Sequence, residues 1–461
     1  MTSAPESAGG ALVTHPHVPC LGCGCACDDI EVVVDTGGRR IVEARRACPL
    51  GLRWFGDGTA PARATVDGRP ASRDEALDAA TALLAAAARP LVLLAPGVTC
   101  EAQREGVALA DLLRAALDSV TSATALAGVL AAQERGRAGA TLGELRNRAD
   151  VVLFWGVDPA ARYPRFEERY APDPVGTHVE EGRRGRVVVA VDVGAAGRGP
   201  ADADVRVAVA PEDESHALAT LIAVVRDGAK GDGASARPEG DAWAAAAAVA
   251  EPLRAARYAA LVCDGEPAAG RDPARVVPLM IALAQALNAP TRAALTVLRG
   301  GGNRSGADAV LTWQTGFPLA VDFARGHPRY RPHDGTAAAR LARGEVDAAL
   351  VVGATDAGAL SDALAAALGA VPCVVVGPRA SEAPFAAVVA MDGGVAGIHE
   401  GGTALRMDDV PLPLRALLDG PPSTAALVRA LGERMRRARR GVEQPAGAWR
   451  GAPTMGAGAA P

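Results

Sequence analysis

Short β-branched runs alternate with longer Ala- and Leu-rich stretches through most of the chain. The apolar runs at 91–94, 151–155, 187–191, 259–263, 349–352 and 374–376 read as strands, and the segments between them as helices. The alternation predicts an α/β fold in which parallel sheets carry helices on both faces. Ser72-Arg73-Asp74-Glu75 has the pattern of a capping box and opens a helix reaching about Ala88. Nearly every strand closes on a Gly- or Asp-containing turn, as in Trp155-Gly156-Val157-Asp158, Val191-Asp192-Val193-Gly194 and Val352-Gly353-Ala354-Thr355-Asp356. In doubly wound sheets such carboxyl ends line the ligand crevice.

The same pattern divides the chain. Residues 1–17 read as a flexible arm, 18–70 as a small cysteine-rich β module, 71–226 as a first α/β lobe and 242–390 as a second. The Gly-, Ala- and charge-rich stretch 227–241 reads as a linker or surface loop between the lobes. Beyond Met391 the periodicity decays into a closing segment, 391–440, that ends in an Arg-rich helix with a solvated face, and 441–461 reads as a disordered tail.

Composition narrows the function classes. A chain of 461 residues, 49% hydrophobic, can bury a large core. A net charge of −5 and a pI near 5.9 supply no basic field for nucleic acid. No apolar run is long enough to cross a bilayer, and Met1-Thr2-Ser3-Ala4-Pro5-Glu6 lacks the features of a secretory signal. The expectation is a soluble, cytoplasmic protein, a compartment where cysteines serve more often as ligands than as bridges.

The cysteines bear this out as a pattern. Cys20, Cys23, Cys27 and Cys48 stand as C-x2-C-x3-C-x20-C, and the loop is padded with Gly22, Gly24 and Ala26. Ile30-Glu31-Val32-Val33-Val34, Thr36-Gly37-Gly38 and Ile41-Val42-Glu43 read as a hairpin that returns Cys48 to the other three. Four thiolates around a roomy loop suit a 4Fe-4S cluster. Zinc is the rival, although zinc sites commonly pair two C-x2-C units and the second is missing here. Cys25 is a spare thiol, and Asp28-Asp29 reads as a hairpin cap rather than a proton relay.

Three separated motifs then carry a resemblance: Cys20-x2-Cys23-x3-Cys27-Asp28-Asp29-Ile30, Arg148-Ala149-Asp150-Val151-Val152 leading to Trp155-Gly156, and Thr312-Trp313-Gln314-Thr315-Gly316-Phe317-Pro318. Val321-Asp322-Phe323-Ala324-Arg325-Gly326 and Gly402-Thr403-Ala404-Leu405-Arg406-Met407-Asp408 follow in order. The chain resembles the B-type subunit of formylmethanofuran dehydrogenase, in the molybdopterin oxidoreductase superfamily. The resemblance implies a formate-dehydrogenase-like fold and, in redox-active members, a tungsten or molybdenum bis-pterin held by the cysteine of a Cys-His-Gly-Pro motif. That cysteine should fall near Thr124, where this chain reads Thr121-Ser122-Ala123-Thr124-Ala125-Leu126-Ala127-Gly128. A neutral hydroxyl replaces poorly a thiolate on a soft, high-valent metal. Asp192-Val193-Gly194 also lacks the Arg that would grip a pyrophosphate.

This combination resembles the bacterial branch, where the corresponding chain is part of a formyltransferase/hydrolase complex linked to tetrahydromethanopterin and a methanofuran-like carrier. The implied partners are an amidohydrolase-like subunit, a formyltransferase and a small β-helix-like subunit. Catalysis then lies on the companions, and this chain acts through assembly. The alternatives are an active pterin dehydrogenase subunit relaying electrons through the cluster, and a cluster-bearing electron carrier. In a functional relative the pterin would meet Gly302, Asn303, Gln314, Thr315 and Gly316, with Gly156 and Gly353 at strand ends. Asp158 and Asp192 would accept from a guanine edge or a ribose hydroxyl, or else cap the following helix. His399-Glu400 near Arg406 and Asp408 has no spacing to a nucleophile or metal and reads as structural.

Overall fold

A computed structural model describes residues 11–37, 39–229, 241–266, 271–355 and 358–443. Three short strands come first: β1 (Leu12–Val18), β2 (Ile30–Asp35) and β3 (Arg40–Arg45). Then follow β4 (Ala64–Val66), β5 (Arg69–Pro70), β6 (Pro90–Leu94) and β7 (Ala116–Ser119). The next five are β8 (Val151–Trp155), β9 (Val187–Val193), β10 (Val205–Val209), β11 (Ala259–Asp264) and β12 (Ala293–Leu298). After them come β13 (Val321–Asp322), β14 (Arg329–Tyr330), β15 (Ala348–Val352), β16 (Cys373–Gly377), β17 (Val389–Asp392), β18 (Gly402–Leu405) and β19 (Pro411–Leu414).

Two sheets dominate. One has five strands in the order β10-β9-β8-β11-β12, every neighbouring pair parallel. The other has nine, β14-β13-β7-β6-β15-β16-β17-β4-β5, with a parallel centre and an antiparallel hairpin at each edge. Leu91 to Leu94 of β6, the whole of β8 and the whole of β15 are buried, because helices cover both faces. The α/β class with parallel sheets is therefore as expected, and the capping box at Ser72 and Glu75 starts the helix Arg73–Ala86.

The sequential division into two lobes is corrected by the sheet order. The stretch 71–226 gives β6 and β7 to the larger sheet and β8 to β10 to the smaller. The stretch 242–390 is split in the same way, β11 and β12 joining the smaller sheet and β13 to β17 the larger. A strand buried on both faces carries the same apolar signature whichever sheet it joins, so local pattern cannot assign it.

Three boundaries also move. The expected arm contains β1, which pairs antiparallel with β2 and changes register between His15 and Val18 around Pro16, a residue tolerated on an edge strand. Residues 227–229 continue the helix Glu214–Ala229, and the next helix begins at Asp241, so only 230–240 of the expected linker lies outside the described residues. The last helix, Thr424–Glu443, overruns the expected closing segment, and 444–461 lie outside the described residues. Its arginines are more than a solvated face: Arg429 pairs with Glu105 at 2.8 Å and Arg434 with Asp74 at 2.5 Å. No helix among the described residues is long and apolar enough to cross a membrane.

Candidate functional site

The β2–β3 hairpin, with Val33 opposite Glu43, returns the chain to Cys48, which stands at the N-terminus of the helix Pro49–Phe55. Gly38 at its turn lies outside the described residues. The cysteine loop closes on itself, the Cys20 amide donating to the Cys27 carbonyl at 2.8 Å and the Ala26 amide to that of Cys23 at 3.2 Å. Cys20, Cys23 and Cys27 are buried and Cys48 is half-buried. Gly51 lets two of them approach: a Cβ there would stand 3.2 Å from Cys20 Sγ and 4.0 Å from Cys48 Sγ.

Burial drives the Cys20 thiol far above its ordinary pKa, opposed by the Gly22 amide, and the charges of Cys23, Cys27 and Cys48 each push it further up. Burial also pushes Cys27 up to about 12, against the pull of Arg169. Cys23 is held low, first by a hydrogen bond from the fully buried Cys25 and then by backbone amides and Arg165, against burial. Among the described residues no three His, Cys, Asp or Glu side chains are arranged to hold a single metal ion.

Around the loop stands a shell of charge that sequence reading missed. Arg165 grips Asp29 with two bonds of 2.8 Å, and Arg169 reaches Asp28 at 2.7 Å and also pairs with Asp29. Asp28-Asp29 is thus an anchor for two guanidiniums, not a hairpin cap. Tyr170 lies between the guanidiniums of Arg169 and Arg406, 5.5 and 5.7 Å from its ring, and its hydroxyl donates to the Cys25 carbonyl at 3.4 Å. The run Tyr163-Pro164-Arg165-Phe166-Glu167-Glu168-Arg169-Tyr170, Arg alternating with aromatics in an aromatic-poor chain, was the available signal.

A cleft adjoins the loop. The Gly24 amide donates to the Arg299 carbonyl at 3.1 Å, and the Met407 amide donates to the Gly24 carbonyl at 3.0 Å. Arg299 and Met407, with Thr124, Thr296 and Asp308, line a cavity of about 200 Å³. A second cavity of about 470 Å³ lies on the other side of Thr124, toward Ser119, Glu266 and Arg304. Thr124 sits in the first turn of the helix Ser122–Arg135, and its hydroxyl donates to the Thr121 carbonyl at 3.2 Å. Cys100, the nearest alternative thiol in sequence, lines neither cavity; it is buried against Asn303 Nδ2 at 3.5 Å.

The fold and cleft can now be set beside known proteins. The chain is 32% identical over 420 residues to the B-type subunit of the tungsten-containing formylmethanofuran dehydrogenase 2 of Methanocaldococcus jannaschii, a match covering 88% of this chain and 94% of that protein. The chain belongs to the family of B-type subunits of formylmethanofuran dehydrogenase. The corresponding protein of Methanococcus maripaludis is also 32% identical, over 418 residues and 88% of this chain. A solved structure, the formyltransferase/hydrolase complex FhcABCD from Methylorubrum extorquens with methylofuran, contains a similar chain at a TM-score of 0.66 and 27% identity. That likeness covers 82% of this chain and 99% of the other. No family model matches the chain.

Against this family background, the residues expected to touch a cofactor prove scattered and engaged elsewhere. Asp158 Oδ1 accepts from the Ala161 amide at 2.9 Å, capping its own short helix. Asp192 accepts from the Gly199 amide at 2.9 Å and from Arg206 at 2.6 Å. Gly156 lies beneath the guanidinium of Arg271. Gly302 accepts from the Gly97 amide at 2.7 Å and donates to the Leu21 carbonyl at 2.8 Å, so it joins the cysteine loop to the end of β6. Asn303 is buried, its Nδ2 donating to the Val98 carbonyl at 2.9 Å and its Oδ1 accepting from the Leu405 amide at 2.8 Å. Gly353 packs against the Ala95 carbonyl where the parallel strands β15 and β6 end side by side, leaving no space for a Cβ. Asp356, in the same turn, lies outside the described residues.

Gln314 is exposed, Thr315 donates to the Leu311 carbonyl at 2.8 Å, and Gly316 ends the helix Arg304–Thr315, so this motif lines neither cavity. His399 and Glu400 are structural, though not through salt bridges. His399 Nε2 bonds the Gly58 carbonyl at 2.7 Å, and Glu400 accepts from the Thr424 amide at 2.8 Å, capping the last helix. Arg406 and Asp408 do pair, at 2.6 and 2.8 Å.

Proposed function

We propose that this chain serves as the B-type component of a cytoplasmic formyltransferase/hydrolase complex in tetrahydromethanopterin-linked one-carbon metabolism, with a molybdopterin-oxidoreductase-like fold and no redox metal of its own. The observation that carries the reading is Thr124. A side chain whose hydroxyl is turned to its own helix, with no thiol lining either adjoining cavity, offers nothing to a soft metal. The likeness to a chain of FhcABCD over 99% of that chain's length supports the assembly. Formyl transfer from the pterin carrier to a methanofuran-like carrier, and its hydrolysis to formate, then belong to the formyltransferase and amidohydrolase-like companions. A small β-helix-like subunit completes the set.

Cys20, Cys23, Cys27 and Cys48 fit a 4Fe-4S cluster. Gly51 leaves room for Cys20 and Cys48 to approach, small residues pad the loop, and the spacing lacks the second C-x2-C unit common in zinc sites. When bound, such a cluster supplies one-electron capacity or a structural tie. This chain's own part is to hold the ligands with the Cys20–Cys27 backbone bond and to surround them with Arg165 and Arg169. A staple role accords with the reading that the chain carries no redox metal, since metal binding adds directly to folding free energy.

The archaeal relatives are tungsten-containing by name, which favours a second reading, an active pterin dehydrogenase subunit. Metal analysis of the purified complex separates the two. Iron and sulfide without tungsten or molybdenum is the expected result. Tungsten or molybdenum with a pterin would establish the second reading, and zinc alone would reject any cluster.

A further inference from the structure

The five-stranded sheet has its topological switch point between β8 and β11, the position where doubly wound sheets open a crevice for a dinucleotide-like ligand. In this chain buried ion pairs stand on both sides of it. The Arg271 guanidinium lies over Gly156, where an added Cβ would fall inside it, and it donates to the Gly156 carbonyl. Its Nε donates to Glu214 at 3.2 Å and Nη2 pairs with the same carboxylate, while the Trp155 indole donates to Glu214 at 2.9 Å. Only 6% of the Arg271 side chain and 5% of that of Glu214 are exposed. On the other side of the switch, Arg162 bonds Asp264 at 2.5 Å and the Glu266 carbonyl, and the Tyr163 hydroxyl donates to Asp264 at 3.2 Å.

We infer that Arg271 is an internal ligand of this sheet: its guanidinium, neutralised by Glu214, occupies the place of a cofactor group at the switch point and completes the crevice without a bound nucleotide or pterin. An arginine kept to grip a diphosphate would hold its fork toward the opening. This one turns its donors inward to a carboxylate and a carbonyl. A buried guanidinium–carboxylate pair is retained only where its remaining hydrogen bonds are satisfied, and Trp155 and the Gly156 carbonyl supply them. Gly156 matches the arrangement, since its φ of +55° and missing Cβ admit the guanidinium against the backbone. The inference rests on the reading that the chain works without a pterin.

The test uses the assembled complex. Acid-denatured wild type is assayed for released purine nucleotide and pterin, and thermal unfolding is followed for Arg271→Ala, with millimolar guanidinium chloride against equal sodium chloride. Gly156→Ala is measured in both backgrounds. Expected are no released cofactor, a lower melting temperature in Arg271→Ala, partial recovery with guanidinium alone, and a smaller penalty for Gly156→Ala once the guanidinium is gone. If Arg271→Ala yields no complex, Arg271→Lys, which keeps the charge without the fork, should melt below wild type. Wild-type melting in Arg271→Ala or Arg271→Lys would overturn the plug and leave the assembly role standing, as would equal effects of the two salts with an unchanged Gly156→Ala penalty. Stoichiometric pterin nucleotide in the wild type would overturn both.

Discussion

The cysteine loop and the β8–β11 crevice make opposite use of buried polar groups. In the crevice buried charges find partners in the chain itself: Arg271 with Glu214, Glu214 with Trp155, Arg162 with Asp264. In the loop, burial opposes the ionisation of Cys20 and Cys27, and among the described residues no cationic side chain hydrogen-bonds the Cys20 sulfur. A site completed from within needs nothing further. Thiols raised by burial, as Cys20 and Cys27 are, gain from a metal, which reverses that penalty by binding the thiolate form. The difference separates a place whose polar groups satisfy one another from one whose thiols would gain from a ligand.

The sharpest way to break the comparison is to remove Arg271. Leaving Glu214 charged and buried without its partner should cost about 3–5 kcal/mol in denaturant unfolding of the complex. A cost below about 1 kcal/mol would make the crevice no more closed than the loop. Next in size, Cys48→Ala should remove a corner of the cluster, lowering bound iron and the melting temperature by a few degrees while formyl hydrolysis by the complex persists. Lost turnover with full stability and intact assembly would contradict the staple role.

Arg165→Ala should have a smaller effect, about 1–2 kcal/mol, because its two bonds to Asp29 are only partly shielded from water. Burial works against the Asp29 charge, but Arg165 and Arg169 hold its pKa below the usual carboxylate range. That contribution is therefore present above the unfolded pKa and lost as pH falls through the lower folded one, so the variant should flatten the acid limb of the stability profile. The smallest effect concerns His399. Burial lowers its pKa from 6.5 against the opposing bond to the Gly58 carbonyl, so the folded chain resists a proton that the unfolded chain accepts. Stability should fall as pH drops below about 6.5, and His399→Gln should remove that slope.

What could be read from sequence was what is local. The C-x2-C-x3-C spacing and the hairpin between Cys27 and Cys48 lie within thirty residues, and both are present. The Ser72 capping box and the helix cap by Asp158 are local too. What escaped depends on partners far along the chain. Arg165 finds Asp29 across 136 residues, and Arg271 finds Glu214 across 57. Gly-rich strand ends have a second reason in the fold. Gly302 and Gly353 are small because backbone passes against backbone, a demand that resembles a phosphate cradle in one dimension. The interleaved sheets escaped for a related reason, since pairing order is a property of returns of the chain rather than of any single run.

That interleaving sets a timetable for synthesis. β6 must pair with β15, so the larger sheet cannot close at its centre until the ribosome has released residues beyond 352, whereas the smaller sheet has all its strands by Leu298. The exit and return points are themselves neighbours, Leu117 of β7 lying opposite Val321 of β13. The unit that starts later can therefore finish first, and the older N-terminal strands wait, half-paired, for their partners to emerge.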